Sequence, residues 1–420
     1  MDVVLYQTHL DSVAALHRQR AEWLDRSRVA MAAMLDLERR LRVHVYLLSR
    51  CIDPEEQPPA DGAAWFAYLA ARLNAPDSDA VEAAIELACE RLIEDDDSAA
   101  AARDALMLFL PEEQEAELLA ALEQQPALLA PLAPVLAARD ADLPDWLADP
   151  AYVVTLNSRD RAAVFRWAAG RPGLSARFFM AGLAGGDDLD DPREAEASTA
   201  ALEGALVRGD SGARTELRER IERSEAASPS FGDLMLAALV GIPEVLPRLT
   251  AHLATEPEEP LRLLALHGGR EAVDIIVAAL EEPRYAEPAA AAWEWVSDQR
   301  LPRAARLRLV GEDSDSRKAG DRPEASPAKT RWKRERHALA EGDRWLEGDR
   351  LTTGRLLDRL SVEAGADAED LLRMLALRLG RPLGIITAGW HDSRLRRLAA
   401  LRREVGNPAS DIEAGGRRRA

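Results

Sequence analysis

Seven histidines are the residues in this chain best suited to metal or acid–base chemistry, and three of them, His9, His17 and His44, fall within the first forty-four positions. His9 and His17 are eight apart, close to two helical turns, so one helix would carry both on one face. Zinc would need further ligands at fixed offsets, and no Cys or acidic ligand pattern accompanies the pair. Hydrogen bonding at helix contacts is the expected use of these rings, and no metal is expected. The acidic run from Asp187 to Asp191 lacks the glycine and the distal glutamate of a calcium loop and is expected to be a solvated loop. No HExxH, phosphate-binding glycine loop, dinucleotide fingerprint or GxSxG elbow occurs in the sequence, so neither a cofactor nor a catalytic residue is assigned.

The elements that would position such residues are helices. Leu and Ala dominate the apolar residues and aromatics make up 5%, a composition that favours helix over strand. Between Pro243 and Val296 four short amphipathic helices follow one another, with stripes such as Val245, Leu246 and Leu249 or Val273, Ile276, Val277 and Leu280. Pro or Gly stands at their ends, and each stripe can be buried only against a neighbour. That is the pattern of a stacked helical repeat. The expected fold is all-α, an α-solenoid of degenerate HEAT-like helix pairs, in which Leu246, Leu249, Leu264, Ile276 and Leu280 are buried.

Boundaries follow from breaks in the pattern. Residues 1–55 read as an N-terminal helical pair, with Met31, Met34, Leu35, Glu38, Leu41, Val45 and Leu48 along its second helix. Residues 56–310 read as the solenoid and 311–330 as an exposed loop, because Glu312 to Thr330 holds almost no aliphatic residue. A last block of helical repeats, from Trp332, is placed in 331–404, with a frayed tail over 405–420. Helix starts are expected at Asp77, Asp97 or Ser98, Thr352 or Thr353, and Asp367, with a glycine stop at Gly380.

Charge narrows the partners. Residues 301–420 hold 26 Lys and Arg against 19 Asp and Glu, or +7, which leaves −26 of the total −19 on residues 1–300. An acidic body repels a phosphate backbone, so nucleic acid is not an expected partner. The nine tryptophans are spread along the chain, as core or inter-repeat packing requires, and form no stacking platform. Cys51 and Cys89 are the only cysteines; they fit a reducing cytoplasm, with Cys89 a core residue. MDVVLYQTHLDSV has no cationic start or hydrophobic run, so no signal peptide is expected there. Nor is any stretch apolar for the ~18 residues of a membrane span.

The N-terminal segment carries a further pattern. His9, Val13, Leu16, Arg18 or Arg20, and then LDLERRLRVHVYLLSRC from Leu35 to Cys51 resemble the opening of a proteobacterial family of HEAT-repeat proteins of unassigned activity. Its form is L-x-x-L-D-x-R-L-x-x-H-x-x-x-L, with Asp36, Arg39 or Arg40, Leu41 and His44 near the matching places. The usual Asp before Arg is Glu38 here, and Ser49 or Arg50 replaces an expected glycine. The likeness returns in LLALHGGREAVDIIVAALEEPRYAEPAAAAWEWVSD and in the segment from WLEGDRLTTGRLLDRL to LRMLALRLG. Members often stand in type VI secretion gene clusters, so the resemblance implies an adaptor or co-chaperone for effector or spike loading, with an effector, a spike protein or a second chaperone as partner. His9, Arg18, Asp36, Glu38, Arg39 and His44 are the candidate protein-binding residues. The contrasting expectation is an enzyme or pigment-handling protein resembling bilin lyases on HEAT-like repeats, with a pocket at Glu38, Arg39 and His44. On either reading the repeats are expected to hold these N-terminal helices and the basic C-terminal end at a fixed distance.

Overall fold

Apolar residues at three- and four-residue spacing fold as helices throughout the computed structural model, which describes residues 3–53, 58–59, 62–94, 97–183, 191–223, 230–304 and 322–406. Among the described residues the regular structure is twenty-two α-helices, a few three-residue 3-10 turns and three ladders of two-residue strands. The fold is all-α. The chain divides into two compact units, one of Met1–Asp210 with Leu356–Ala420 and one of Ser211–Arg355. The sequence pattern marks neither boundary.

The first unit begins with α1 (Val3–Asp25), β1 (Val29–Ala30), α2 (Met31–Ser49), α3 (Gly62–Leu73), α4 (Ser78–Glu94) and α5 (Asp97–Phe109). It continues through α6 (Glu115–Gln124), α7 (Leu129–Arg139), α8 (Asp145–Ala148), α9 (Pro150–Val153), α10 (Ser158–Ala169), α11 (Ala176–Leu183) and α12 (Pro192–Val207). Each apolar stripe finds its cover on nearby helices. α3 packs on α5, α5 on α7, α7 on α10 and α10 on α12. The nearly all-apolar α7 therefore lies in the middle of this layer, with Leu129, Leu132, Val135 and Leu136 buried. Cys89 is buried in α4, and burial pushes its thiol up to about 11. Trp167 of α10 is almost fully buried and donates from Nε1 to the Ala141 carbonyl at 2.9 Å.

The second unit holds α13 (Ser211–Arg223), α14 (Phe231–Val240), α15 (Val245–His252), α16 (Glu258–His267), α17 (Arg270–Ala279) and α18 (Ala286–Ser297). They are followed by β2 (Arg303–Ala304), β3 (Arg322–Pro323), α19 (Ala325–Glu335), β4 (Trp345–Leu346) and β5 (Asp349–Arg350). Leu246, Leu249, Leu264, Ile276 and Leu280 are all buried, as the stripes require. α16 ends at Gly268 with φ 60°, where an added Cβ would stand 2.6 Å from the Trp345 carbonyl oxygen. Only glycine fits both demands there.

Three expectations are corrected here. Ala325 to Thr330 of the proposed loop belong to α19, while its residues 311–321 lie outside the described residues. WLEGDR is a tight hairpin, β4 to β5, turned by Glu347 and Gly348 at φ 52° and 75°. Two successive left-handed residues match the twist of paired strands and override the helical reading of that segment. The third correction concerns the chain ends. α20 (Thr353–Val362), β6 (Glu363–Ala364), α21 (Asp367–Leu379) and α22 (His391–Val405) follow; from Leu356 on they belong to the first unit. There β6 pairs with β1, α21 packs on α12, and α22 packs on α2. The N-terminal helices and the basic C-terminal helix are thus in contact and not held apart.

The expected caps are largely present. Asp77 accepts from the Asp79 amide at 3.3 Å, Thr352 accepts from the Arg355 amide at 3.2 Å, and Gly380 closes α21 at φ 64°. Asp191, the last residue of the acidic run, caps α12 by accepting from the Arg193 amide at 3.0 Å; positions 187–190 lie outside the described residues, as do 407–420 of the tail.

Candidate functional site

The buried stripe of α2 consists of Met31, Met34, Leu37, Leu41, Val45 and Leu48, with one carboxylate among them, Glu38. A charge placed there requires a partner, because burial without one costs several kcal/mol. Two are supplied. From α1, Arg20 donates Nε to Glu38 Oε1 at 2.9 Å, and from the start of α22, His391 places Nδ1 2.8 Å from the same oxygen and its backbone amide 3.0 Å from Oε2. All three are buried, with 3%, 2% and 0% of the Arg20, Glu38 and His391 side chains exposed. The same guanidinium also donates to the carbonyls of Ala388 and Gly389 at 2.7 and 2.8 Å, which fixes the strand of chain leading into α22.

Burial pushes the Glu38 carboxyl up, but the hydrogen bond from His391 and the charge of Arg20 outweigh it and hold the group below its ordinary range. Burial lowers His391, against the pull of Glu38. The ring is therefore neutral near pH 7, with the proton on Nδ1 donated to Glu38 and the lone pair on Nε2. The ring's one donor is satisfied, and Nε2 is left as a buried acceptor without a partner among the described residues.

A second tie lies beside the first. Arg42 donates through both terminal nitrogens to Asp392, at 3.0 and 2.9 Å, and its guanidinium carbon stands 3.9 Å from the centre of the Trp390 ring. Trp390 in turn donates to the Leu108 carbonyl at 2.8 Å and meets Phe109 edge-on, which brings α5 to the same point. Between α2 and the start of α22 is a hollow of about 430 Å³ lined by Ala32, Leu35, Asp36, Glu38, Arg39, Arg42 and Asp392. Its carboxylates are already engaged, Asp36 by Arg39, Asp392 by Arg42 and Glu38 by Arg20 and His391. A general base at neutral pH needs a raised carboxyl pKa with a free lone pair, whereas Glu38 and Asp392 are both held low.

The histidines are distributed between separate partners. His9 and His44 face each other across α1 and α2 with their Nδ1 atoms 3.0 Å apart, so one ring donates and the other accepts. Burial, then the proximity of His9 and of Arg40, lowers the pKa of His44. His17 does not join them. It stacks on Phe66 with ring centres 3.7 Å apart, and its Nε2 lies 2.7 Å from Asp104. Among the described residues no three His, Cys, Asp or Glu side chains are grouped to hold a metal ion.

The six residues singled out in the sequence therefore separate. Glu38 is the buried centre of the tie to α22, and Asp36 and Arg39 form a solvent-facing pair on the rim of the hollow. His9 and His44 pair with each other, away from that rim. Arg18 is exposed and belongs to neither cluster; of the two arginines the pattern allowed, Arg20 is the buried, paired one. Glu38, Arg39 and His44 do not converge on one pocket. Sequence reasoning missed Arg42, Trp390, His391 and Asp392. The available signal was Glu38 itself, since a lone carboxylate in an apolar stripe announces a buried partner without saying where in the chain that partner stands.

The outer face of α2 is of another kind. Val43, Tyr46 and Leu47 are 52%, 51% and 38% exposed, at the i, i+3, i+4 spacing of one helical stripe. The Arg50 guanidinium lies 5.2 Å from the Tyr46 ring centre. Among the described residues no helix is long and apolar enough to cross a membrane.

The chain matches no family model, no curated protein and no solved structure.

Proposed function

We propose that this chain is a non-enzymatic protein-binding scaffold on an α-solenoid, an adaptor or co-chaperone for effector or spike loading in type VI secretion, working in the cytoplasm. The observation that carries the binding role is the stripe of Val43, Tyr46 and Leu47 left open on α2. A helix that buries one face in the core and leaves three large apolar side chains in line on the other is built to be covered. The inner face of the same helix is fixed by Glu38, Arg20 and His391, so the outer stripe is presented on a rigid element. The secretion context rests on the resemblance carried by Asp36, Arg39, Leu41 and His44.

Co-purification of the tagged chain from the cells that make it tests this reading. The expected result is enrichment of a secretion effector, a spike protein or a second chaperone. Recovery of no secretion component above the level given by an unrelated acidic helical protein contradicts it.

A further inference from the structure

The charge around the open stripe specifies its occupant. The chain as a whole carries −19, yet residues 3–50 hold eight Arg against five Asp and Glu. Asp36 pairs with Arg39 and Glu38 with Arg20 and His391, while Arg28 faces Glu363 and Asp367 and Arg42 faces Asp392, which leaves Arg18, Arg26, Arg40 and Arg50 against Asp11, Glu22 and Asp25. Arg40 on α2 and Arg50 at its C-terminal end are exposed without a carboxylate partner among the described residues. The stripe thus runs between two unpaired cations on a chain that is acidic as a whole. It is also continuous with the hollow, since Ala32, Leu35 and Arg39 of the hollow and Val43, Tyr46 and Leu47 succeed one another along α2. From Ala32 to Arg50 this ridge is about 27 Å long at ~1.5 Å per residue, the length of a five-turn helix.

We propose that the outer face of α2 docks an acidic amphipathic helix of the partner, with its apolar residues on Val43, Tyr46 and Leu47 and its carboxylates on Arg40 and Arg50. The proposal rests on the scaffold reading above and names its partner's chemistry. A ridge with apolar side chains at i, i+3 and i+4 matches the periodicity of a helix laid along it. The flanking guanidiniums select for acidic neighbours and raise the association rate. A second copy of this chain would bring the same cations against themselves. A phosphate backbone would meet the arginines and gain nothing from Val43 or Leu47.

The test is fluorescence anisotropy of the full chain with a labelled acidic peptide of about 18 residues, the length of the ridge in helical form. The peptide carries Leu at helical spacing and Glu on both flanks, and its counterpart has every Glu replaced by Lys. The acidic peptide is expected to bind and the lysine peptide not to. Arg40→Glu and Tyr46→Ser should each weaken binding at least about fivefold, a rim charge and an aromatic anchor respectively. Ile93→Ser, which removes an exposed apolar side chain from α4 (47% exposed), should leave it unchanged. Equal binding of both peptides, indifference to Arg40→Glu and Tyr46→Ser, or displacement of the peptide by a single-stranded oligonucleotide overturns the proposal. If the peptide ignores α2 while a secretion component still co-purifies, the docking face falls and the scaffold reading stands. If neither binds, both fall.

Discussion

Nδ1 of His391 lies 2.8 Å from Oε1 of Glu38, across 353 positions of chain, and the contact is fully shielded from water. It makes the first long helical pair and the last helix parts of one packed unit. Arg20 completes the contact, so three residues that sequence order scatters share one buried site.

Glu38→Ala leaves the Arg20 guanidinium buried without its counter-charge, a change that costs about 3 to 5 kcal/mol in such settings. Chemical denaturation should show that loss, and hydrogen exchange should show α22 opening before the rest of the first unit. Arg39→Ala removes only a solvent-facing partner of Asp36, with 72% of the Arg39 side chain exposed. Its effect should stay within about 0.5 kcal/mol.

His267, buried in the second unit, accepts from the Gly269 amide at 3.1 Å, and burial, with the charge of Arg344, lowers its pKa to about 4. The unfolded chain, with an ordinary histidine near 6.5, then binds a proton over a range where the folded chain does not. Stability from this residue is complete above about pH 6.5 and is lost as the pH falls toward 4, by about 3 kcal/mol in all. The difference in unfolding free energy between the wild type and His267→Asn, measured from pH 7.5 to 4.5, should narrow over that interval. A difference independent of pH would contradict the assignment.

Leu264 is fully buried in α16, a helix that packs on α14, α17 and α18. Leu264→Ala should cost about 2 to 5 kcal/mol in chemical denaturation, the range for a truncated core leucine. A cost below about 1 kcal/mol would mean that the stripe is not packed as described.

What could be read from the sequence divides along a physical line. Local signals were legible: the stripe of Val273, Ile276 and Val277, the stop at Gly380 and the cap at Thr352 each depend on residues within one or two turns, and each stands where the pattern put it. The β4–β5 hairpin was not legible because Glu347 takes a left-handed conformation without being glycine, which local propensity does not favour. The return of α22 onto α2 was invisible for a stronger reason. Nothing periodic links Glu38 to His391; the pairing follows from the desolvation cost of one carboxylate, and that cost names a need without naming the residue that meets it. For the same reason His44 and Arg39, close to Glu38 in sequence, looked like its partners and are not.

In the proposed role the outer face of α2 holds a partner, while the inner face fixes the fold through Glu38, Arg20 and His391. Benzoylphenylalanine introduced at position 46 in place of Tyr46 and, in a separate chain, at position 152 in place of Tyr152 of α9, followed by irradiation of the living cells, tests that division most directly. A covalent adduct to an acidic helix of a secretion component is expected from position 46, and none from position 152. An adduct from position 152 alone, or from position 46 to a second copy of this chain, would contradict it.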